Sequence, residues 1–254
     1  MTVLAHALER TIVIRATRDI VFGFFTDAAR WAAWWGAGSS IDPRRGGRVL
    51  IRYPDGTEAS GEIEDIAPPD RLVFTYGYVS GNPIPPGGSR VTIRLAAHAE
   101  GTRLHLRHEF ADAAVRDQHV QGWRYQLSLF ANVVANEVNA GASDAVDRWF
   151  AVWAIADEKE RDAALAALVA PDVQVRDRFS AIDGIADLSP HIAGALRFMP
   201  GCRIQRSGDV RHCQGTVLAD WTMTGANGQP RGKGTNVFVF GSNGRITSVV
   251  GFWS

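Results

Sequence analysis

Two stretches of this sequence carry residue types suited to proton transfer. In "DVQVRD", residues 172–177, alternation places Val173, Val175 and Asp177 on one face of a strand. In "TVLADWTMTG", Leu218, Asp220, Thr222 and Thr224 share one face, and Val217, Ala219, Trp221 and Met223 share the other. Both faces of that second strand are mixed, so parity alone does not say which is buried. If Asp220 faces inward, two carboxylates enter one apolar pocket. One of them then tends to hold its proton near neutrality, which suits acid or base work. The alternative is that both are solvated or paired with Arg176, Arg178 or Arg211, as most aspartates on an arginine-rich strand are.

A second set of residues is aromatic. "RWAAWWGAGS" places Trp31, Trp34 and Trp35 within one short stretch. Period two gathers Tyr76 and Tyr78 with Leu72 and Phe74, and His108 with Leu104, Leu106 and Phe110. These three polar-tipped rings are either satisfied core groups or part of a cavity lining. Together with Trp34, Trp35, Trp123 and Phe130 they would form an amphipathic ligand pocket. Trp31 is expected to be structural. Trp153 and Trp253 are the corresponding ligand-binding candidates later in the chain.

The elements that must position these residues fall into two halves. The first reads strand, helix, several strands, long helix. "RTIVIRA" is β-rich, "TRDIVFGFFTDAARWAAWW" has helical spacing, and five strand patterns follow, separated by turns such as "PDG", "PPD" and "AEG". In "AAVRDQHVQGWRYQLSLFANVVANEV", Trp123, Leu127, Phe130 and Val134 make one apolar helix face. This order predicts an antiparallel sheet with one long helix across it. The small-residue stretch "NAGAS", 139–143, marks the boundary between a domain over 1–139 and another over 144–254. Beyond it, Ser143 or Asp144 is the expected cap of a helix over "AVDRWFAVWAIAD", and Pro171 the expected end of a helix over "ERDAALAALVA". A third helix and four strands complete an α+β cone. The predicted class is α+β in both halves.

Composition removes several functions. The chain has 254 residues, with 27 basic and 27 acidic side chains, so no charge excess marks a nucleic-acid or anionic-lipid surface. Apolar runs such as "ANVVA" are too short to span a bilayer. "MTVLAHALERTIVIR" has no secretory pattern, so a cytoplasmic location is expected. Cys202 and Cys213 are expected as free thiols. Neither cysteine nor histidine spacing suggests a metal site, and no cofactor is expected.

Two family resemblances sharpen the reading. "VFGFFTD", "WAAWWG", "DPRRGGRV", "YPDGTEASGEIEDIAPPDRLVFTY", "RVTIRL", "GTRLHLRHEF" and "HVQGW" resemble the SRPBCC (START-like) superfamily over about residues 9–135. Within it, the similarity is to the family of the C-terminal domain of the heat-shock-protein-90 ATPase activator. The resemblance implies a helix-grip fold with a deep cavity between sheet and long helix, and members that bind or transform apolar small molecules. It places the "WW-G" stretch where short helices close that cavity. "VDRWFAVWAIAD", "LVAPDVQVRD", "NGQP" and "TNVFVFGSNGRITSVVGFWS" resemble the nuclear-transport-factor-2-like superfamily, which includes SnoaL-like cyclases and ketosteroid isomerases. Against the isomerase pattern, the base aspartate falls on Asp177, the oxyanion tyrosine on Trp149 and the protonated aspartate on Asn236. Trp149 and Asn236 each donate a hydrogen bond without a shifted pKa, so a neutral donor pair for an enolate is retained.

Three functions follow from these readings. One is an isomerase, cyclase or dehydratase of small apolar molecules with Asp177 as base. Another is a non-catalytic protein with two ligand-binding domains. The third is chaperone-ATPase regulation, which the chain supports least because it lacks the activator's N-terminal partner domain. The expected partners are a small apolar molecule and a second copy of the chain, with no nucleic acid and no membrane.

Overall fold

The computed structural model describes residues 3–254. The chain divides into two compact units, the first ending at Ala135 and the second running Asn136–Ser254. Each has its own sheet.

The first unit begins with β1 (His6–Ile14), followed by α1 (Arg18–Gly23) and α2 (Ala28–Trp35). The stretch expected as one helix is therefore two. Asp27 breaks it and caps α2, its side chain accepting from the Arg30 N–H. Then come β2 (Ser40–Ile41), β3 (Arg48–Arg52), β4 (Glu58–Ala67), β5 (Arg71–Tyr78), β6 (Ser89–His98) and β7 (Gly101–Phe110). The strands form one antiparallel sheet in the order β1-β7-β6-β5-β4-β3-β2. Its buried face carries Leu72, Phe74, Tyr76, Val91, Ile93, Leu104, Leu106, His108 and Phe110. The long helix α3 (Ala113–Val138) buries Trp123, Leu127, Phe130 and Val134, the stripe its period predicts.

The last turn of α3, from Asn136, counts with the second unit, where Asn136 Oδ1 meets His212 Nδ1 at 2.9 Å. The division by contacts thus falls earlier than "NAGAS". Next are α4 (Ala142–Val152), α5 (Glu158–Leu168), β8 (Val169–Arg176), β9 (Ala181–Asp183) and α6 (Ile185–Phe198). The N-cap of α4 is Gly141, with no side-chain cap from Ser143 or Asp144. Asp157 caps α5 instead of ending α4. Pro171 lies inside β8, so α5 ends before it. The strands β10 (Arg203–Cys213), β11 (Thr216–Thr224), β12 (Pro230–Phe240) and β13 (Ile246–Trp253) follow. The sheet order is β10-β11-β12-β13-β8-β9, with β13 and β8 parallel and all other pairs antiparallel. Val146, Trp149, Leu165, Ile192, Val217 and Phe238 are among the residues packed between the helices and this sheet.

Candidate functional site

The second unit encloses a cavity of about 670 Å³, within the size range of small-molecule sites. Its walls come from five strands, with Ile204 supplied by β10. Val175 and Asp177 extend the inward face of β8. Trp221 and Met223 come from β11, Asn236 from β12, and Val249, Gly251 and Trp253 from β13. The helical side supplies Trp149, Phe150 and Trp153, then His191, Ala195 and Phe198. The wall is mostly apolar, and Asp177 is its one carboxylate among the described residues.

Asp177 sits at a hairpin tip. Residues Val175↔Ile182 and Arg176↔Ala181 pair in the ladder, and Asp177 and Ser180 extend it, exchanging backbone bonds of 3.0 and 3.4 Å. Arg178 and Phe179 form the turn. The Phe179 N–H donates to Asp177 Oδ1 at 2.7 Å. Among the described residues Asp177 makes no ion pair: Arg176 is tied to Asp183 at 2.6 Å, and the Arg178 guanidinium lies over the Phe179 ring. The arginine pairing considered from sequence is not formed at this carboxylate.

Asn236 is buried, and its Oδ1 accepts from Trp221 Nε1 at 2.9 Å. Indole nitrogen only donates, so the oxygen must face it. The Nδ2–H₂ group is left as the free polar end of this side chain at the cavity wall. Gly251 stands between the Asn236 and Asp177 side chains. A methyl group there would lie 3.1 Å from Asn236 Oδ1 and 3.2 Å from Asp177 Cβ. On the neighbouring strand, a methyl at Gly234 would lie 2.6 Å from the Trp221 ring. The two glycines therefore make room for the Trp221–Asn236 pair and for Asp177.

Four other named residues also lie in this unit. Trp149, Trp153 and Trp253 line the cavity, with Trp149 edge-on to Trp153 and Trp253 edge-on to Trp221. Asp220 does not. Trp221 and Met223 bring the larger buried area inward, which turns Asp220 to the outer face. There its carboxylate pairs with Arg211 and accepts from Thr235 Oγ1. Trp221, Ser180 and His191 were not singled out from sequence. Ser180 Oγ and His191 Nε2 are 3.1 Å apart, and both line the cavity.

The first unit has a smaller cavity of about 390 Å³, lined by Trp35, Tyr53, Tyr76, Tyr78, His119, Trp123 and Gln126 among others. Its polar tips are bonded to one another. Tyr53 Oη and Tyr76 Oη are 2.9 Å apart. His119 Nδ1 lies 2.7 Å from the Val115 carbonyl, an acceptor only, so Nε2 accepts from Tyr78 Oη at 3.3 Å. Burial pushes both Tyr53 and Tyr76 well above the usual phenol range. Trp34, His108 and Phe130 are not cavity wall. They are core residues at 1%, 0% and 0% exposure, sealed beneath the lining. Trp123 Nε1 donates to His108 Nδ1 at 2.9 Å; His108 Nε2 then donates to Ser89 Oγ at 2.9 Å, and Ser89 to the Tyr76 carbonyl at 2.8 Å. The chain fixes a neutral imidazole, and burial, with His119 nearby, pulls His108 well below the ordinary histidine value. Trp31 is structural, donating to the Leu50 carbonyl at 3.2 Å, and Gln126 Nε2 donates to the Trp34 carbonyl. The indole N–H groups of Trp34 and Trp35 are buried without an acceptor.

Residues 15–135 match the family model of Activator of Hsp90 ATPase homolog 1-like protein, and residues 146–249 match that of the SnoaL-like domain. The chain carries both domain types. Similar solved structures each cover about half of it. A candidate isomerase of the SnoaL-like family from Agrobacterium tumefaciens is 22% identical, covers 44% of this chain and 95% of its own, and has a TM-score of 0.43. CalU16 from Micromonospora echinospora is 27% identical over 52% of this chain and 76% of its own, with a TM-score of 0.41. The Aha1 dimer from Colwellia psychrerythraea is 14% identical over 48% and 90%, with a TM-score of 0.42. No curated protein matches the chain. Among the described residues no helix is long and apolar enough to cross a membrane, and no three His, Cys, Asp or Glu side chains are grouped to hold a metal ion.

Proposed function

We propose that the SnoaL-like unit binds an apolar, ring-sized carbonyl compound and moves a proton on it. Asp177 is the base that takes the proton next to the carbonyl. The charge that develops on the carbonyl oxygen is met by the Asn236 amide, with the Trp149 indole as a second donor. Neutral donors fixed in a mostly apolar cavity stabilise such an oxyanion without reorganising during the reaction. Returning the proton to another carbon isomerises the ligand; attack of the enolate on a second carbonyl closes a ring. The observation that carries this reading is the Trp221–Asn236 bond, which commits the amide oxygen and leaves the amide N–H groups for a ligand in the cavity that Asp177 also lines. The first unit binds an apolar molecule against Trp35, Tyr76, Tyr78 and Trp123 without proton transfer, because its phenol and imidazole tips are already paired.

The test is exchange of the carbon-bound protons of benzylacetone in heavy water, followed by proton NMR. Asp177→Asn is expected to slow the catalysed exchange by about 10²–10⁴-fold. Asparagine keeps an oxygen for the Phe179 N–H, so thermal stability should change by no more than about 0.5 kcal/mol. Exchange that is absent in the parent, or unchanged in the variant, would overturn the proposal.

A further inference from the structure

The same cavity holds a second polar pair for which simple isomerisation has no use. Ser180 comes from the β8–β9 hairpin tip and His191 from α6, and the two are hydrogen-bonded. Asp177 and Ser180 exchange both backbone bonds. Residues paired in that way stand directly opposite and send their side chains to one face, with Cβ atoms about 5 Å apart. The Ser180 side chain thus shares a face with that of Asp177, and the His191 imidazole is one hydrogen bond beyond Ser180. Among the described residues no hydrogen bond or ion pair joins Asp177 to His191. A carboxylate that served only to orient the imidazole would be bonded to it. Asp177 and His191 are instead two separate acid–base groups opening on one apolar space. The His191 ring is held edge-on to Trp153 at 5.9 Å, against a cavity wall. The nearby cation, Arg176, is spent on Asp183 and on the Val175 and Ile182 carbonyls.

Resting on the reading of Asp177 as base, we infer that His191, oriented by Ser180, serves a second oxygen of the ligand, and that the substrate class is a β-hydroxy carbonyl compound undergoing dehydration. Asp177 takes the proton from the carbon beside the carbonyl. The electrons of that C–H bond form the new C=C bond, and the C–O bond to the hydroxyl breaks. The departing oxygen takes a proton from the His191 imidazolium and leaves as water. Asp177 ends protonated and His191 neutral, and exchange with solvent water resets both. Nothing is oxidised or reduced. Histidine suits the acid role because its two ring nitrogens let one bond Ser180 while the other hands over a proton.

Two probes separate this inference from the one beneath it. Benzylacetone has no hydroxyl, so its proton exchange needs Asp177 and not His191. The aldol adduct of benzaldehyde and acetone needs both, and its conversion to benzalacetone is read by absorbance. His191→Gln is expected to slow elimination by about 100-fold and benzylacetone exchange by less than about tenfold, with the thermal melt showing that the variant is folded. Ser180→Ala should lower kcat for elimination by about tenfold with KM little changed, and Ser180→Thr, which keeps the hydroxyl, should restore it. Equal slowing of elimination and exchange in His191→Gln, or elimination at the parent rate, overturns the role of His191 and leaves Asp177 as base. A parent enzyme that exchanges benzylacetone but does not dehydrate the adduct overturns the substrate class. A parent that does neither overturns both readings.

Discussion

Both cavities are walled by tryptophans, yet their phenol, imidazole, carboxylate and amide groups are in opposite condition. In the first unit the phenols of Tyr53, Tyr76 and Tyr78 and the imidazoles of His108 and His119 bond to one another or to backbone. In the second, the Asp177 carboxylate has a backbone partner on one oxygen, the Asn236 amide keeps its N–H groups, and His191 has a single serine partner. A closed network spends its hydrogen-bonding capacity on holding the fold. An incomplete one keeps capacity for a ligand. The same ring-rich composition therefore makes a binding surface in one half and a reactive one in the other.

This contrast can be broken at several scales. The largest effect concerns the units themselves. Fragments 1–139 and 144–254 are each expected to fold and to show a cooperative thermal transition of their own; two unfolded fragments would mean that each cavity depends on the other half. Next is a matched pair of substitutions. Trp123→Phe leaves His108 Nδ1 without a donor at a fully buried site and should destabilise the first unit by about 1–3 kcal/mol. Trp221→Phe releases an amide that can turn toward the cavity, so it should cost less stability and instead slow benzylacetone exchange, by about tenfold. Equal stability losses and unchanged exchange would erase the distinction between the cavities.

The smallest expected effect is in pH. Burial holds His108 and His119 below the ordinary histidine value in the folded state. An unfolded histidine takes up its proton near pH 6.5, so below about that value the unfolded chain binds more protons. Stability of the first unit should be flat above about pH 7 and fall as pH drops from about 6.5 toward 5, with His108 adding at most about 1.4 kcal/mol per pH unit. The second unit has one histidine lowered by burial, the partly exposed His212, so its slope should be shallower. Melting curves of the two fragments across this range check the sign.

The sequence was legible where one strand face was uniform. Val173 and Val175 are both apolar and inward, and Asp177 follows them to the cavity. In β11 both faces are mixed, and what decides them is bulk: Trp221 and Met223 have more area to bury than Leu218 beside Asp220 and two threonines. Parity also could not separate lining from core. Trp34, His108 and Phe130 share faces with true wall residues but lie deeper, and depth is a property of packing rather than of period. His119 had a signal, one helical turn before Trp123 on the same helix. His191 and Ser180 had none, because their partnership joins two elements that only the tertiary fold brings together.

Gly251 gives the reactive cavity its gauge. The base and the donor sit on different elements, a hairpin tip and a central strand, and the strand between them contributes no side chain at that point. Their separation is therefore written in a hydrogen atom rather than in any interacting group. For a designer this is a sensitive place to retune the cavity: one methyl would press on the Asn236 oxygen that Trp221 holds and on the Asp177 side chain at once. For a lineage of such domains it is a position where the smallest available mutation would change which ligands fit, with no charge or ring added.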